Sequence, residues 1–141
     1  MAVDTSAGFK YEGRLSGGPD LFMSVLFKDT ETLTKGDLIN IESGTADLAA
    51  TNDTAFAGAA RETKAGTTAV STIEFYYAPD AIYNVYDANA RALGATLDIS
   101  GATGAMTVTT SSNADVIVVG GLTANERTLV MFVAGEHFLD R

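Results

Sequence analysis

From Leu21 onward, turn-forming residues interrupt the chain every few positions, and the runs between them are short and rich in β-formers. No periodic segment is long enough to make a substantial helix. "LFMSVLF" at 21–27 is almost continuously apolar and reads as a buried strand. "GDLINIESG" at 36–44 sets Ile39 and Ile41 against polar Asn40 and Glu42. "AFAGAA" at 55–60 is small and apolar around Gly58, which suits close approach of another backbone or sheet. "TAVSTIEFYYA" at 68–78 and "AIYNVYD" at 81–87 are aromatic and β-branched, with Pro79-Asp80 as the turn between them. "ATLDIS" at 95–100 and "AMTVTT" at 105–110 flank a glycine loop, "GATG". "ADVIVVGG" at 114–121 and "RTLVMFVAGEHF" at 127–138 complete the series. About nine or ten strands at this spacing predict an all-β fold, a compact antiparallel sandwich or barrel-like domain. Two short helical turns are expected as well. One lies in "DANARALGA" at 87–95; the other is "TANER" at 123–127, with Thr123 as cap and Glu126 three residues later.

Residues 1–20 break the pattern. Gly8, Gly13, Gly17, Gly18 and Pro19 leave no lasting periodicity, and Phe9, Tyr11 and Leu15 are the large apolar side chains there. This segment reads as an extended arm that orders against a partner, followed by a single β domain over 21–141. On that reading, deleting residues 1–18 leaves the β body folded and weakens partner binding.

A chain of 141 residues fits one domain, which buries about two-thirds of its unfolded surface. There is no cysteine, so disulfides, thiolate nucleophiles and Cys-ligated metals are excluded. The net charge of −9 argues against a general nucleic-acid binder, which needs a basic face. Within residues 1–20 the balance is only −1 (Asp4, Glu12 and Asp20 against Lys10 and Arg14), so this segment meets an acidic or neutral partner more easily than the body does. The N-terminus has no apolar signal region, and no run reaches the roughly 18 residues of a membrane helix. The expectation is synthesis in the cytoplasm, with no membrane and no nucleic-acid partner.

Reactive groups are sparse. His137 is the single histidine, and strand neighbours Glu136 and His137 point to opposite faces. A packing role outweighs general base catalysis there. Asp29, Asp37, Asp47, Asp53, Asp80 and Asp115 are scattered, mostly at turns, where an Asp side chain accepts from nearby backbone N–H groups. Asp47 to Asp53 is the one stretch that suggests a weak surface cation site. The glycine clusters lack the spacing of phosphate-binding loops. No catalytic residue, metal or cofactor is expected.

The densest apolar feature is Phe75, Tyr76, Tyr77, Tyr83 and Tyr86. Core packing explains part of it. Adjacent strand residues face opposite ways, so Tyr76, Tyr83 and Tyr86 are candidates for an outward face that binds a protein or a sugar.

"LTKGDLINIESG", followed by "AFAGAARETKAGT", resembles the tailed-phage capsid decoration or cement proteins, in which a "kGDlv…sG" segment precedes an "a.vaGva.e…aG" segment. The likeness covers residues 33–67; "ADVIVVGG" and "RTLVMFVAG" match in style. This chain has Ala where the family often has Val, and its first residues match no family motif. The resemblance implies a small β fold, often a homotrimer, on the outside of an expanded icosahedral head. There it would tie neighbouring major capsid protein subunits together at or near local threefold axes. The expected shell contacts are the arm residues Phe9, Lys10, Tyr11, Arg14 and Leu15. Alternatives are a tail-tube, head-completion or fibre component, a carbohydrate-binding module, or an acid/base hydrolase.

Overall fold

The computed structural model describes residues 6–27, 32–51, 53–65, 71–87, 89, 91–110, 113–122 and 127–139. It is all-β, and every strand pair is antiparallel. The strands are β1 (Lys10–Arg14), β2 (Phe22–Leu26), β3 (Thr32–Leu33), β4 (Leu38–Glu42), β5 (Thr45–Leu48), β6 (Phe56–Ala59), β7 (Lys64–Ala65), β8 (Thr72–Tyr76), β9 (Ala81–Tyr86), β10 (Thr96–Ser100), β11 (Thr107–Thr110), β12 (Val116–Leu122) and β13 (Arg127–Phe132).

Six strands form one sheet in the order β1-β9-β13-β12-β10-β11. The rest make smaller sheets, β5-β4-β6, β2-β8 and β3-β7. Two bridges link the first two of these. Ala60 pairs antiparallel with Phe75, and Phe27 pairs in parallel with Ala46. The result is a ring in the order β2-β8-β6-β4-β5. Phe27, Leu33, Ile39, Ala46, Ala57, Ala60, Ile73 and Phe75 form its core.

A second core lies between this ring and the six-stranded sheet. Leu38, Phe56 and Ala59 come from the ring; Tyr83, Val85, Leu97, Ile99, Val116, Val118, Val130 and Phe132 come from the sheet. Strands β4 and β6 therefore have both faces covered, one by each core. That is why "AFAGAA" is small and uninterrupted by charge. A Cβ on Gly58 would stand 1.9 Å from the Tyr76 carbonyl oxygen and 2.6 Å from the Tyr83 hydroxyl. The close approach read from the small residues is thus present, and its neighbours are β8 and β9.

Three expectations need correction. The described residues contain no helix. Asp87 instead organises a loop by accepting from the Asn89 N–H (3.0 Å), a side-chain-to-backbone bond that competes with a helical turn, and it also accepts from Arg91 Nε (2.5 Å). Residues 123–126 of the second expected turn lie outside the described residues. The arm is not a free extension, because residues 10–14 are an edge strand of the large sheet, joined to β9 with a bulge at Glu12. Strand β2 is not buried; its partner lies on one side, and large apolar side chains emerge on both faces.

Candidate interaction surface

The proposed shell-contact residues separate once the chain folds. Phe9 is buried in the main core, edge-on to Tyr83 at 6.4 Å between ring centres. Its burial follows from the backbone: the Phe9 N–H donates to the Gly36 carbonyl (2.8 Å) and the Gly8 N–H to the Met106 carbonyl (2.9 Å). Gly8 and Gly36 both have φ near +95° and their backbones lie in contact, so a Cβ on Gly36 would meet Gly8 Cα at 3.4 Å. The buried Arg127 completes the anchor. Its guanidinium donates to the Ser6 carbonyl (2.9 Å) and the Gly8 carbonyl (3.4 Å) and bonds the Asn84 side-chain oxygen; the Asn84 amide in turn donates to Glu12. Phe9 is thus unable to act as an external anchor.

Arg14 is paired with Asp80 at 2.7 Å, and the Ser16 N–H donates to the same carboxylate at 3.1 Å. Burial opposes the Asp80 charge, but Arg14 and Ser16 outweigh it and bring the carboxyl down to about 2. Lys10 and Leu15 keep their exposure; Leu15 is 62 % exposed.

The tyrosines divide likewise. Tyr83 is buried, and its hydroxyl accepts the Ala59 N–H at 3.2 Å, so it offers nothing outside. Tyr11 and Tyr76 stack at 3.9 Å with an interplanar angle of 8°. Burial, with Asp20 acting in the same direction, pushes the Tyr11 phenol up to about 12. The Arg61 guanidinium carbon lies 5.2 Å from the Tyr76 ring centre and 3.8 Å over the Phe22 ring. Tyr76 is therefore occupied by neighbours within the chain and is not a flat, open sugar platform. Tyr86 is half-buried at the end of β9.

What the folded chain presents instead is β2. Phe22 (47 % exposed), Met23 (41 %) and Leu26 (47 %) are three of its five residues. Met23 and Val25 lie across from Phe75 and Ile73, on the ring side. Phe22 and Leu26 lie across from Tyr76 and Thr72, on the outer side. The Leu21 carbonyl accepts from Tyr77 N–H (3.1 Å) and the Phe27 N–H donates to Ser71 (3.2 Å). Antiparallel ladder bonds alternate along a strand, so Met23 and Val25 bond β8, while the N–H and C=O groups of Phe22 and Ser24 point the other way. On that side no described strand pairs with Phe22 or Ser24; β5 approaches only the far end of β2, where Phe27 bridges Ala46. Sequence reasoning missed this edge. Its signal was the missing polar alternation in "LFMSVLF", which a buried strand and a strand awaiting a partner share.

The other singled-out groups bind the fold together. Asp37 accepts from the Thr34 N–H (2.8 Å), the Thr103 hydroxyl (2.5 Å) and the Gly104 N–H (2.9 Å), tying the "KGD" turn to the "GATG" loop. Asp53 accepts from Ala50 N–H at 2.8 Å. Asp115 accepts from Ile99 N–H at 3.0 Å; burial pushes its pKa up, against that bond. His137 is buried. Its Nδ1 accepts from the Leu139 N–H (3.1 Å), so its Nε2 carries the proton donated to the Ala57 carbonyl (2.8 Å). Both ring nitrogens are thus engaged by backbone. Among the described residues no three His, Asp or Glu side chains converge as a metal site. No family model, curated protein or solved structure matches the chain.

Proposed function

We propose that this protein is a structural virion component that decorates and stabilises the outer surface of an expanded phage head by binding the major capsid protein. The observation that carries the reading is β2, an exposed, uncharged, apolar strand edge on a body whose loops are braced by buried hydrogen bonds. Such an edge is adhesive: main-chain bonds supply affinity and alternate side chains supply specificity. The resemblance at residues 33–67 supports the same reading. Those residues form much of the scaffold, with β4 and β6 at its centre, so the contact surface is sought elsewhere. Leu15 remains exposed as a shell contact. A shell repeats one site many times, and copies linked as a homotrimer would bind by avidity from modest single contacts.

The test is co-sedimentation with expanded, undecorated heads and with unexpanded procapsids of the matching phage. Saturable binding to expanded heads alone supports decoration. Binding to neither shell, with stacked rings by electron microscopy, would move the assignment to a tail-tube component.

A further inference from the structure

We propose that β2 is a self-association surface, at which the open edge of one copy pairs antiparallel with the same edge of a second copy. The inference goes beyond the decoration reading and competes with it for the same edge: a copy paired through β2 meets a shell only through its other surfaces or after the pair opens. Strand β2 lacks the usual protection of an exposed edge: it has no Lys and no Pro, and among the described residues no strand pairs with the outward side of Phe22 or Ser24. Its occupant has to satisfy the outward N–H and C=O groups of Phe22 and Ser24, which only another extended backbone does along the strand. It also has to be apolar towards both faces, because Met23 is open on one and Phe22 and Leu26 on the other.

Charge decides what that strand is. Residues 21–27 contain no ionisable side chain in a chain of net charge −9. The charges beside its outer face, Arg61 over the Phe22 ring and Glu74 across from Ser24, are paired with each other, so a charged partner segment would lose hydration there and find its counter-charge already engaged. A second β2 matches the edge in charge, length and apolar character, and an antiparallel pair about a twofold axis gives both copies the same contacts. Such a contact makes a pair; threefold grouping would use another surface. The bodies repel, since each carries −9. Association through an uncharged strand should therefore tighten as salt screens that repulsion, whereas a contact made by ion pairs would loosen.

The test is sedimentation velocity of the full chain over a range of concentrations at low and high salt, with deuterium uptake read at the Phe22 and Ser24 amides. The expected result is a monomer–dimer equilibrium that tightens with salt, with both amides slowed in the dimer. Ser24→Pro removes an N–H that β8 does not use, and Met23→Lys places a charge on the edge without touching the backbone. Each should weaken the dimer at least about tenfold while leaving the far-ultraviolet circular dichroism unchanged. Met23→Lys carries the test should the proline variant fail to fold. A wild-type chain that stays monomeric throughout overturns the proposal, as does an oligomer that persists in the folded variants or leaves the Ser24 amide fast. A monomer that still binds expanded heads removes this inference alone; a chain that dimerises but binds no shell even when diluted to monomer removes the decoration reading alone.

Discussion

Arg127 donates from its guanidinium to the carbonyl oxygen of Ser6 at 2.9 Å, joining positions 121 residues apart. With Gly8, Asn84 and Glu12 this makes the N-terminal segment part of the fold. Replacing Arg127 with Met strands several buried acceptors, each costing about 1–3 kcal/mol. A loss of about 3 kcal/mol is expected, read as a lower urea midpoint at unchanged m. Deleting residues 1–14 removes Phe9 as well and should unfold the body, the reverse of what the arm reading predicts. A truncated chain with wild-type melting temperature would contradict this anchoring.

Gly58→Ala should be among the most damaging single substitutions. The new Cβ would collide with the Tyr76 carbonyl oxygen, a backbone atom that cannot swing aside. We expect a loss above about 3 kcal/mol, beyond ordinary overpacking, or failure to fold. Gly44→Ala serves as the control. Its φ is +77° but the space around it is open, so the cost should be about 1 kcal/mol. Thermal melts of the two variants give the comparison.

Asp80 sets an acid limit. Its folded pKa, about 2, lies below its ordinary 3.8. The stability it contributes is complete above about pH 4 and disappears as pH falls towards 2. Solvent screening of the Arg14 pair holds that contribution to about 1 kcal/mol. Asp80→Asn should lower stability at pH 7 and flatten the dependence between these limits, measured by urea unfolding across the acid range.

Asp115 works in the opposite direction. Its carboxyl is raised by burial, so it favours the folded state best when protonated, below 3.8, and opposes it as pH rises. Asp115→Asn keeps an oxygen acceptor for the Ile99 N–H and removes the buried charge. Its melting temperature should exceed wild type at pH 7, with the difference vanishing at low pH.

Asp37→Ala should loosen two distant segments at once. The variant leaves the Thr34 and Gly104 N–H groups without their acceptor, for a loss of about 2–4 kcal/mol. Deuterium uptake should rise at both residues 34–37 and 101–104. An increase confined to the first segment would show that the loop is held by something other than Asp37.

Although β1, β5 and the two-residue β3 and β7 were not legible in the sequence, most of the longer strands from β2 onward, the turns between them and the role of most aspartates were. They depend on local chemistry: side-chain alternation, glycine and proline at turns, a carboxylate within reach of an N–H three residues away, as Asp37 is of Thr34 and Asp53 of Ala50. The second acceptor role of Asp37, at Gly104, spans 67 residues and was not. The same limit hid the surface. "FMSVL" and "FAGA" are both uncharged strand sequences, yet β6 is buried on both faces and β2 is open on both. Tyr83 and Phe22 are both aromatics in β-forming stretches, and only Phe22 reaches solvent. Periodicity tells which residues share a face. Whether that face is covered depends on strands brought from elsewhere in the chain, so exposure, and with it the candidate site, was decided by the tertiary structure.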